Sequence, residues 1–388
     1  MARPTRIGLV FSYSLAYCRG ILRGIRRYAQ VRPDWIFTPI DPDARGLRIL
    51  RDLRPAGIIA HVYTRELAAT LRALRKPLVN VCGVLPDLPV PRVGLDDAAI
   101  GAAAAEHLLD RGLRSFAFVG HTNHGYSIAR EAAFTRRIAA AGYTVRSHLE
   151  PGARFAPRGR LWSLDKSLRD WVGALPRPVG IFACNDVWGA QISETCRQAG
   201  LTVPEEVAIV GVDNDDLLCD LARPSLSSVA VPAEPVGFQA ARLLDRIMAG
   251  KKAPSEPILL PPTGVVVRHS SDVLAIADAD VAEAVRTIRM LAHKPLTIED
   301  VLAAVPVSRR SLERRFRKSL NRGIWEEIRR VHMDRARHLL ATTDLPISEV
   351  AATSGFSECK HLSVVFRQEA GMTPTTYRRR ARGDVRTR

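Results

Sequence analysis

The 388 residues predict a two-lobed α/β domain followed by an all-α domain that carries two helix-turn-helix motifs. Three observations predict it. Residues 7–271 alternate short, continuous apolar runs with amphipathic helical segments, the pattern of parallel βαβ units buried on both faces. From about residue 281 the strand-like runs stop and helical periodicity with strong capping signals takes over. Within that last part a short helix, a turn and a second helix occur twice, about fifty residues apart, which is an internal duplication.

In order along the chain, Ile7–Phe11 reads as a strand and Tyr17–Gln30 as a helix with Ile21, Leu22, Ile25, Tyr28 and Ala29 on one face. Gly57–Val62 and Leu78–Cys82 are strands around the helix Glu66–Leu74. Helix Ala98–Leu109, strand Phe116–Gly120 and helix Arg130–Ala141 follow. Strand Val179–Cys184 precedes helix Trp188–Ala199, and strand Val207–Val212 leads to helix Pro235–Met248. Two α/β lobes fit within residues 1–271, joined by a short linker, 272–280, to a helical domain at 281–388.

In the helical domain Thr297-Ile298-Glu299-Asp300 reads as a capping box that opens a short helix running to Ala304. Pro306-Val307-Ser308 breaks it, and Ser308 caps a second helix, Arg309–Leu320. In the second copy, Ile347–Thr353 is the short helix, Gly355-Phe356-Ser357 the turn and Glu358–Ala370 the second helix. Arg378-Arg379-Arg380 begins a basic tail.

Composition narrows the function. With 46% hydrophobic and 25% charged residues the chain is an ordinary globular one, not a disordered one. A net charge of +17 favours polyanionic partners. Residues 281–388 hold 22 Lys and Arg against 12 Asp and Glu, so charge per residue is several-fold higher there than in the first 280. A nucleic-acid surface is therefore expected in the helical domain. The six cysteines (Cys18, Cys82, Cys184, Cys196, Cys219 and Cys359) form no CxxC pair and read as reduced thiols. The first apolar run is too short for a signal-peptide core, and no stretch reaches the roughly 18–20 apolar residues of a membrane span. These features predict a cytoplasmic protein with no membrane partner.

Ligands of open parallel sheets sit outside the carboxyl ends of the strands. The strand ends here carry Ser12-Tyr13-Ser14, His121-Thr122-Asn123, Asn185-Asp186 and Asp213-Asn214-Asp215-Asp216. Hydroxyl, amide and carboxylate groups gathered in this way suit a neutral polyol, whose hydroxyls both donate and accept. Any one of these Asp or Asn residues equally suits a helix cap or turn. Tyr13, Tyr17 and Trp188 lie near enough to strand ends to stack on a sugar face. His121-Thr122-Asn123-His124 has an HxxH spacing without further ligands and reads as a loop rather than a metal site.

In a helix-turn-helix the second helix enters the major groove. In the first unit Leu312 and Phe316, four apart, face the core, which leaves Arg310, Glu313, Arg314 and Arg317 outward. Arg reads guanine through two hydrogen bonds, whereas Arg309 and Lys318 suit phosphates. In the second unit Leu362 and Phe366 are the inward pair, and Lys360, His361 and Val364 face out. A valine there suits a thymine methyl group.

Residues 281–380 resemble the DNA-binding domain of the AraC/XylS family. The resemblance is carried by Leu296–Lys318, Ala336–Leu340, Ile347–Ala351, Gly355-Phe356-Ser357, Phe366-Arg367, Gly371-Met372-Thr373-Pro374 and Tyr377-Arg378. It implies one monomer on two successive major-groove segments of double-stranded DNA. Arg310, Glu313 and Arg314, then Lys360, His361 and Val364, fall on base-facing positions, and Arg309 is added as a phosphate contact. His332 stands where family members usually have Arg.

Residues 5–270 resemble the periplasmic-binding-protein-like (type I) effector domain of LacI/GalR-type repressors. The matching segments are Gly94-Leu95-Asp96-Asp97, Arg130 with Ala133-Phe134, Asn185-Asp186, Gly211-Val212-Asp213 and Leu226-Ser227-Ser228-Val229. That resemblance places Arg130, Asn185, Asp186 and Asp213 on ligand contacts, with Tyr13 and Tyr17 beside them. An effector lobe pair ahead of an AraC-type domain is similar to the regulators of xylose operons, as are Gly237–Leu244 and Leu260-Pro261-Pro262. It implies a transcription regulator, an activator that works with RNA polymerase, as a homodimer controlled by xylose or a similar pentose. No cofactor, no metal and no catalytic residue is expected. The rival readings are a sugar-binding transport protein and a carbohydrate-active enzyme. The helical domain argues against the first, and the want of a nucleophile–base constellation in the sequence against the second.

Overall fold

The computed structural model describes residues 4–151, 166–273, 276, 278–320 and 322–381. Its first lobe is built from β1 (Thr5–Val10), α1 (Ala16–Ala29), β2 (Trp35–Ile40), α2 (Ala44–Leu53), β3 (Gly57–Ala60), α3 (Arg65–Ala73) and β4 (Leu78–Asn80). The strands pair in parallel in the order β2-β1-β3-β4, as expected of βαβ units. β5 (Val93–Leu95) then hands the chain to α4 (Asp97–Leu109) and to the second lobe. There β6 (Ser115–His121), α5 (Gly125–Ala140), β7 (Val145–Glu150), α6 (Lys166–Gly173), β8 (Val179–Ala183), α7 (Asp186–Gln198), β9 (Val207–Asp213), α8 (Asp216–Leu221) and β10 (Ser227–Ala230) follow.

The chain next returns to the first lobe as α9 (Ala233–Met248) and β11 (Ile258–Leu260), and β11 pairs in parallel with β5. It crosses once more to β12 (Gly264–Val266), antiparallel to β10, which completes the second sheet in the order β12-β10-β9-β8-β6-β7. Three crossings thus join the lobes. The return is locked by the close approach of α9 to α1. A Cβ on Gly24 would stand 1.9 Å from the Glu234 carbonyl, and one on Gly237 would stand 1.9 Å from that of Ile21. Only glycine lets the two backbones meet there.

A single turn, His269–Ser271, leads towards the helical domain, with Ser270 and Ser271 fully buried. Residues 274, 275 and 277 of the expected linker lie outside the described residues, as does the tail at 382–388. The helical domain begins at α10 (Ala279–Met290), capped by Asp278, two residues before the expected boundary. α11 (Ile298–Leu302) and α12 (Arg309–Leu320) form the first helix-turn-helix, and the Thr297–Asp300 capping box is present. α13 (Ile324–Thr342) leads to α14 (Ile347–Thr353), α15 (Cys359–Ala370) and α16 (Pro374–Ala381).

Each unit has its own core, and α13 serves both. Ile324 and Ile328 pack with Val285, Leu312 and Phe316, whereas Met333, Ala336 and Leu340 pack with Val350, Leu362 and Phe366. A continuous helix of 19 residues, about 28 Å long, therefore fixes the distance between the two units.

Candidate effector cleft and DNA-binding surface

The site of the α/β domain gathers where α4, α5 and α7 begin above the ends of β6, β8 and β9. Its centre is Arg130, which is only 3% exposed. α5 starts at Gly125, five residues before the expected start, so Arg130 sits in its second turn rather than at its tip. The Arg130 Nε donates to Asp97 Oδ1 at 2.9 Å, and Nη1 donates to the Cys184 carbonyl. Its guanidinium lies 4.8 Å from the centre of the Tyr126 ring, one helical turn earlier. The cation is thus held by a carboxylate, a carbonyl and an aromatic face before any ligand arrives.

Asp213 closes β9 with φ +105°, and Asn214 follows at φ +49°. Neither conformation suits an L-residue, and such strain collects at ligand sites. Asn214 is pinned by its N–H to Ser228 Oγ at 3.0 Å and by Arg268, which donates to its Oδ1 at 3.0 Å. Burial pushes the Asp213 carboxyl up to about 6 against the pull of the Arg130 charge. Asp97 is also raised by burial, with Arg130 opposing. Asp97 is bonded to the guanidinium while Asp213 lies only within the field of its charge, which leaves acceptor capacity for the hydroxyls of a neutral ligand.

Asp213 and Asn214 open onto a cavity of about 360 Å³, lined also by Tyr17, Arg19, Arg23 and the crossing segment at Val231–Pro235. The Tyr17 hydroxyl donates to the Val81 carbonyl at 3.1 Å, which fixes α1 against the end of β4 within the first lobe. After β6, His121 and His124 meet at a tilt with ring centres 4.4 Å apart, and Trp188 Nε1 donates to His121 Nε2 at 3.2 Å. Burial, and then the neighbouring His121, push His124 down to about 4.

Of the sequence-chosen residues, Tyr17 and Asp213 line one cavity, and Arg130 acts on Asp213 through its charge. Asn185 joins them through Tyr126, its Nδ2 donating to the Tyr126 hydroxyl at 3.4 Å, while its own Oδ1 caps α7. Asp186 is employed differently from expectation. It is 1% exposed, Oδ1 accepts from Ser228 Oγ at 2.6 Å and Oδ2 from the Asp215 N–H at 2.8 Å. Its carboxylate braces the loop that carries Asp213. Tyr13 is likewise committed, donating to the Leu9 carbonyl at 3.0 Å and accepting from the Ile40 N–H at 3.2 Å. Asp97 and Tyr126 were not singled out by the sequence as site residues. The i, i+4 spacing of Tyr126 and Arg130 becomes a signal once α5 is known to start at Gly125.

In the helical domain α12 buries Leu312 and Phe316 and exposes Arg310, Arg314, Arg317 and Lys318. Arg309 is engaged by carboxylates on both sides, with Nη1 3.1 Å from Glu299 and Nε 3.1 Å from Glu313. That pairing links α11 to α12 across the turn and half-covers Glu313. On α15, Leu362 and Phe366 are buried, and Lys360, His361 and Val364 are exposed, Val364 by 50%. His361 meets the Phe356 ring edge-on at 5.5 Å. The turn before α15 rests on α13, where a Cβ on Gly355 (φ +81°) would fall 2.3 Å from His332 Nε2. His332 is thus a buried support for the second unit.

Residues 105–271 match the family described as periplasmic binding protein-like domain, and residues 301–380 match the helix-turn-helix domain family. The chain is 33% identical to the xylose operon regulatory protein of Escherichia coli K12 over 96% of both chains. It is 31% identical to that of Haemophilus influenzae, covering 96% of this chain and 98% of the relative. The chain belongs to the xylose operon regulatory protein family. Members of this family join a sugar-binding effector domain to a helix-turn-helix domain, and this chain is a sugar-controlled transcription regulator of that design. A solved structure of a xylose-binding transcription activator superposes with a TM-score of 0.61 at 30% identity, over 97% of this chain and 98% of the other. The α/β domain alone shares its fold with a periplasmic binding protein/LacI regulator from Alkaliphilus metalliredigens, at TM-score 0.57, covering 69% of this chain and 99% of that one. Among the described residues no helix is long and apolar enough to cross a membrane.

Proposed function

We propose that this regulator is a cytoplasmic transcription activator whose effector is xylose, bound between the lobes. The observation that carries this reading is the buried Asp97–Arg130 pair, in the field of the Asp213 carboxylate, on a family member similar to the xylose regulators over nearly its whole length. Arg130, held rigid, donates to sugar oxygens. Asp213 and Asp97 accept from hydroxyls, and Asn185 offers an amide. Tyr126 backs the Arg130 guanidinium and Trp188 holds His121, while Asp186 and Tyr13 brace the neighbouring loops. An uncharged pentose suits this set better than a sugar phosphate, because the carboxylates repel an anion.

The same reading has a homodimer placing four helix-turn-helix units on one operator, with RNA polymerase recruited beside it. α12 and α15 enter consecutive major-groove segments, presenting Arg310, Glu313 and Arg314, then Lys360, His361 and Val364. Arg309 orients α12 from the adjoining turn. On this reading the effector domain spans 1–271, the DNA-binding domain opens with α10 at Ala279, and the chain has no catalytic role. The relatives named above are transcription regulators rather than enzymes.

Calorimetric titration of the full chain with D-xylose, L-arabinose and D-ribose tests the effector. Micromolar to millimolar binding of D-xylose with weaker binding of the others supports it, and no heat with any of the three refutes it.

A further inference from the structure

Helix α4 carries an aspartate at each end, and each is gripped by arginines of another element. Asp97, in the first turn, meets Arg130 in the cleft. Asp110, the C-cap, is 4% exposed and lies between two arginines of the helical domain. Arg322 Nη2 stands 3.0 Å from Asp110 Oδ1, and Arg330 Nη1 pairs with Oδ2. The same two guanidiniums hold Glu327, which is fully buried, with Arg322 Nε at 2.6 Å and Arg330 Nη2 at 2.8 Å. Arg289 of α10 donates to the Asp110 backbone carbonyl at 2.9 Å. Beside it, Arg111 donates to the Ser271 carbonyl and His107 meets Ser271 Oγ at 2.7 Å, which ties the same helix end to the segment that enters the helical domain.

A buried network of two carboxylates and three arginines contributes little net stability compared with apolar packing. Its value is geometric, because losing one partner strands an uncompensated buried charge. α4 between the two aspartates is a rod of thirteen residues, about 20 Å long. At its far end sits α13, whose residues form part of both helix-turn-helix cores. A shift of α13 therefore carries α12 and α15 together.

We propose that Asp110 is the coupling residue of this regulator: α4 carries the state of the Asp97–Arg130 pair to α13 through the Asp110–Arg322–Arg330 ion pairs. Sugar binding, on the reading above, rearranges hydrogen bonds around Arg130 and displaces α4 as a body. The Asp110 latch converts that displacement into a new setting of both recognition helices. Asp110 is a positioning residue; it touches neither sugar nor DNA.

The test uses the full chain and the D110N, R330Q and D110N/R330Q variants. Asp110→Asn preserves shape and removes the charge. D-xylose affinity is expected to stay within twofold of wild type, while the ratio of operator affinities with and without D-xylose falls towards one. Arg330→Gln, approached from the other domain, is expected to give the same loss, and the double variant no more than either single one. A wild-type ratio in any correctly folded variant overturns the proposal, and so does a ratio lost together with sugar binding. Hydrogen exchange of the sugar-free chain adds an arm independent of the effector. α13 amides at 326–334 are expected to exchange at least fivefold faster in D110N, and equal rates overturn the latch. Should wild type bind no D-xylose, the effector assignment fails while this arm still decides the contact.

Discussion

Tyr126 and Arg130 stand one turn apart on α5, and the guanidinium of Arg130 lies 4.8 Å over the Tyr126 ring. The tyrosine hydroxyl also accepts from Asn185 at 3.4 Å, so one side chain aligns both the cation and the amide of the cleft. Replacing Tyr126 with Ala removes a desolvated cation–π contact of about 2 kcal/mol. Calorimetry is expected to show D-xylose affinity lowered at least tenfold. Operator affinity without sugar should change less than sugar affinity, because α5 makes no part of the recognition surface and Asp97 still holds Arg130. Tyr126→Phe keeps the ring, loses the Asn185 contact and should fall between the two.

Asp213 provides a pH signature. Its carboxyl is raised by burial to about 6, opposed by the Arg130 charge, with Asp97 and Asp215 adding repulsion. An acceptor for sugar hydroxyls works best ionised, so binding favours the deprotonated form. Lowering the pH from 7.5 to 5 should therefore weaken D-xylose binding, with the change centred near pH 6. Asp213→Asn should bind more weakly at neutral pH and show a flat profile across that range. A wild-type affinity that rises on acidification would show that Asp213 acts as a donor instead.

How much of this was legible in the sequence depends on what each element buries. β1, β3, β6, β8 and β9 read directly because they are buried on both faces and nearly all apolar. β2 was missed because it is an edge strand containing Pro39 and leaves Ile36 46% exposed. β7, an edge of the second sheet, reads Val-Arg-Ser-His-Leu-Glu and buries no residue fully. α2 was hidden by its arginines, with only Gly46 and Leu50 buried. The helical domain was more legible, since capping boxes and Leu–Phe pairs at i, i+4 are local signals. In the cleft, residue types at strand ends pointed to Asn185, Asp186 and Asp213, and the resemblance to LacI/GalR-type effector domains added Arg130. Long-range pairings decided the rest: nothing local distinguishes Asp186, spent on Ser228 and Asp215, from Asp97, which holds Arg130. Nor did any local signal reveal that Asp110 meets Arg330 across 220 residues of chain.

Gly355 tests the support of the second helix-turn-helix. Its φ of +81° and its approach to His332 make alanine costly twice over. Gly355→Ala is expected to destabilise that unit by about 2–4 kcal/mol, read as loss of the last cooperative step in thermal unfolding. Operator binding should fall more than tenfold while D-xylose binding is kept. Adding His332→Ala removes the clash but not the backbone strain, and should restore only part of the loss.

The two recognition helices differ in what they read. Arg314→Ala is expected to cost about 1–3 kcal/mol of operator affinity and to relax preference at one base pair, as losing a bidentate guanine contact does. Lys360→Ala should cost a similar amount in the adjacent groove segment. Arg309→Ala should instead weaken binding with little change in base preference, since its guanidinium is occupied by Glu299 and Glu313. Selection from random duplexes, followed by titration at two salt concentrations, separates these outcomes.

The most direct measurement is a hydroxyl-radical footprint of the full chain on duplex recovered by such selection, with and without D-xylose. Two protected patches per monomer, about one helical turn apart, whose occupancy at fixed protein changes at least tenfold with D-xylose, are the expected result. A single patch, or two patches indifferent to D-xylose and to the other pentoses, would contradict a sugar-controlled tandem reader.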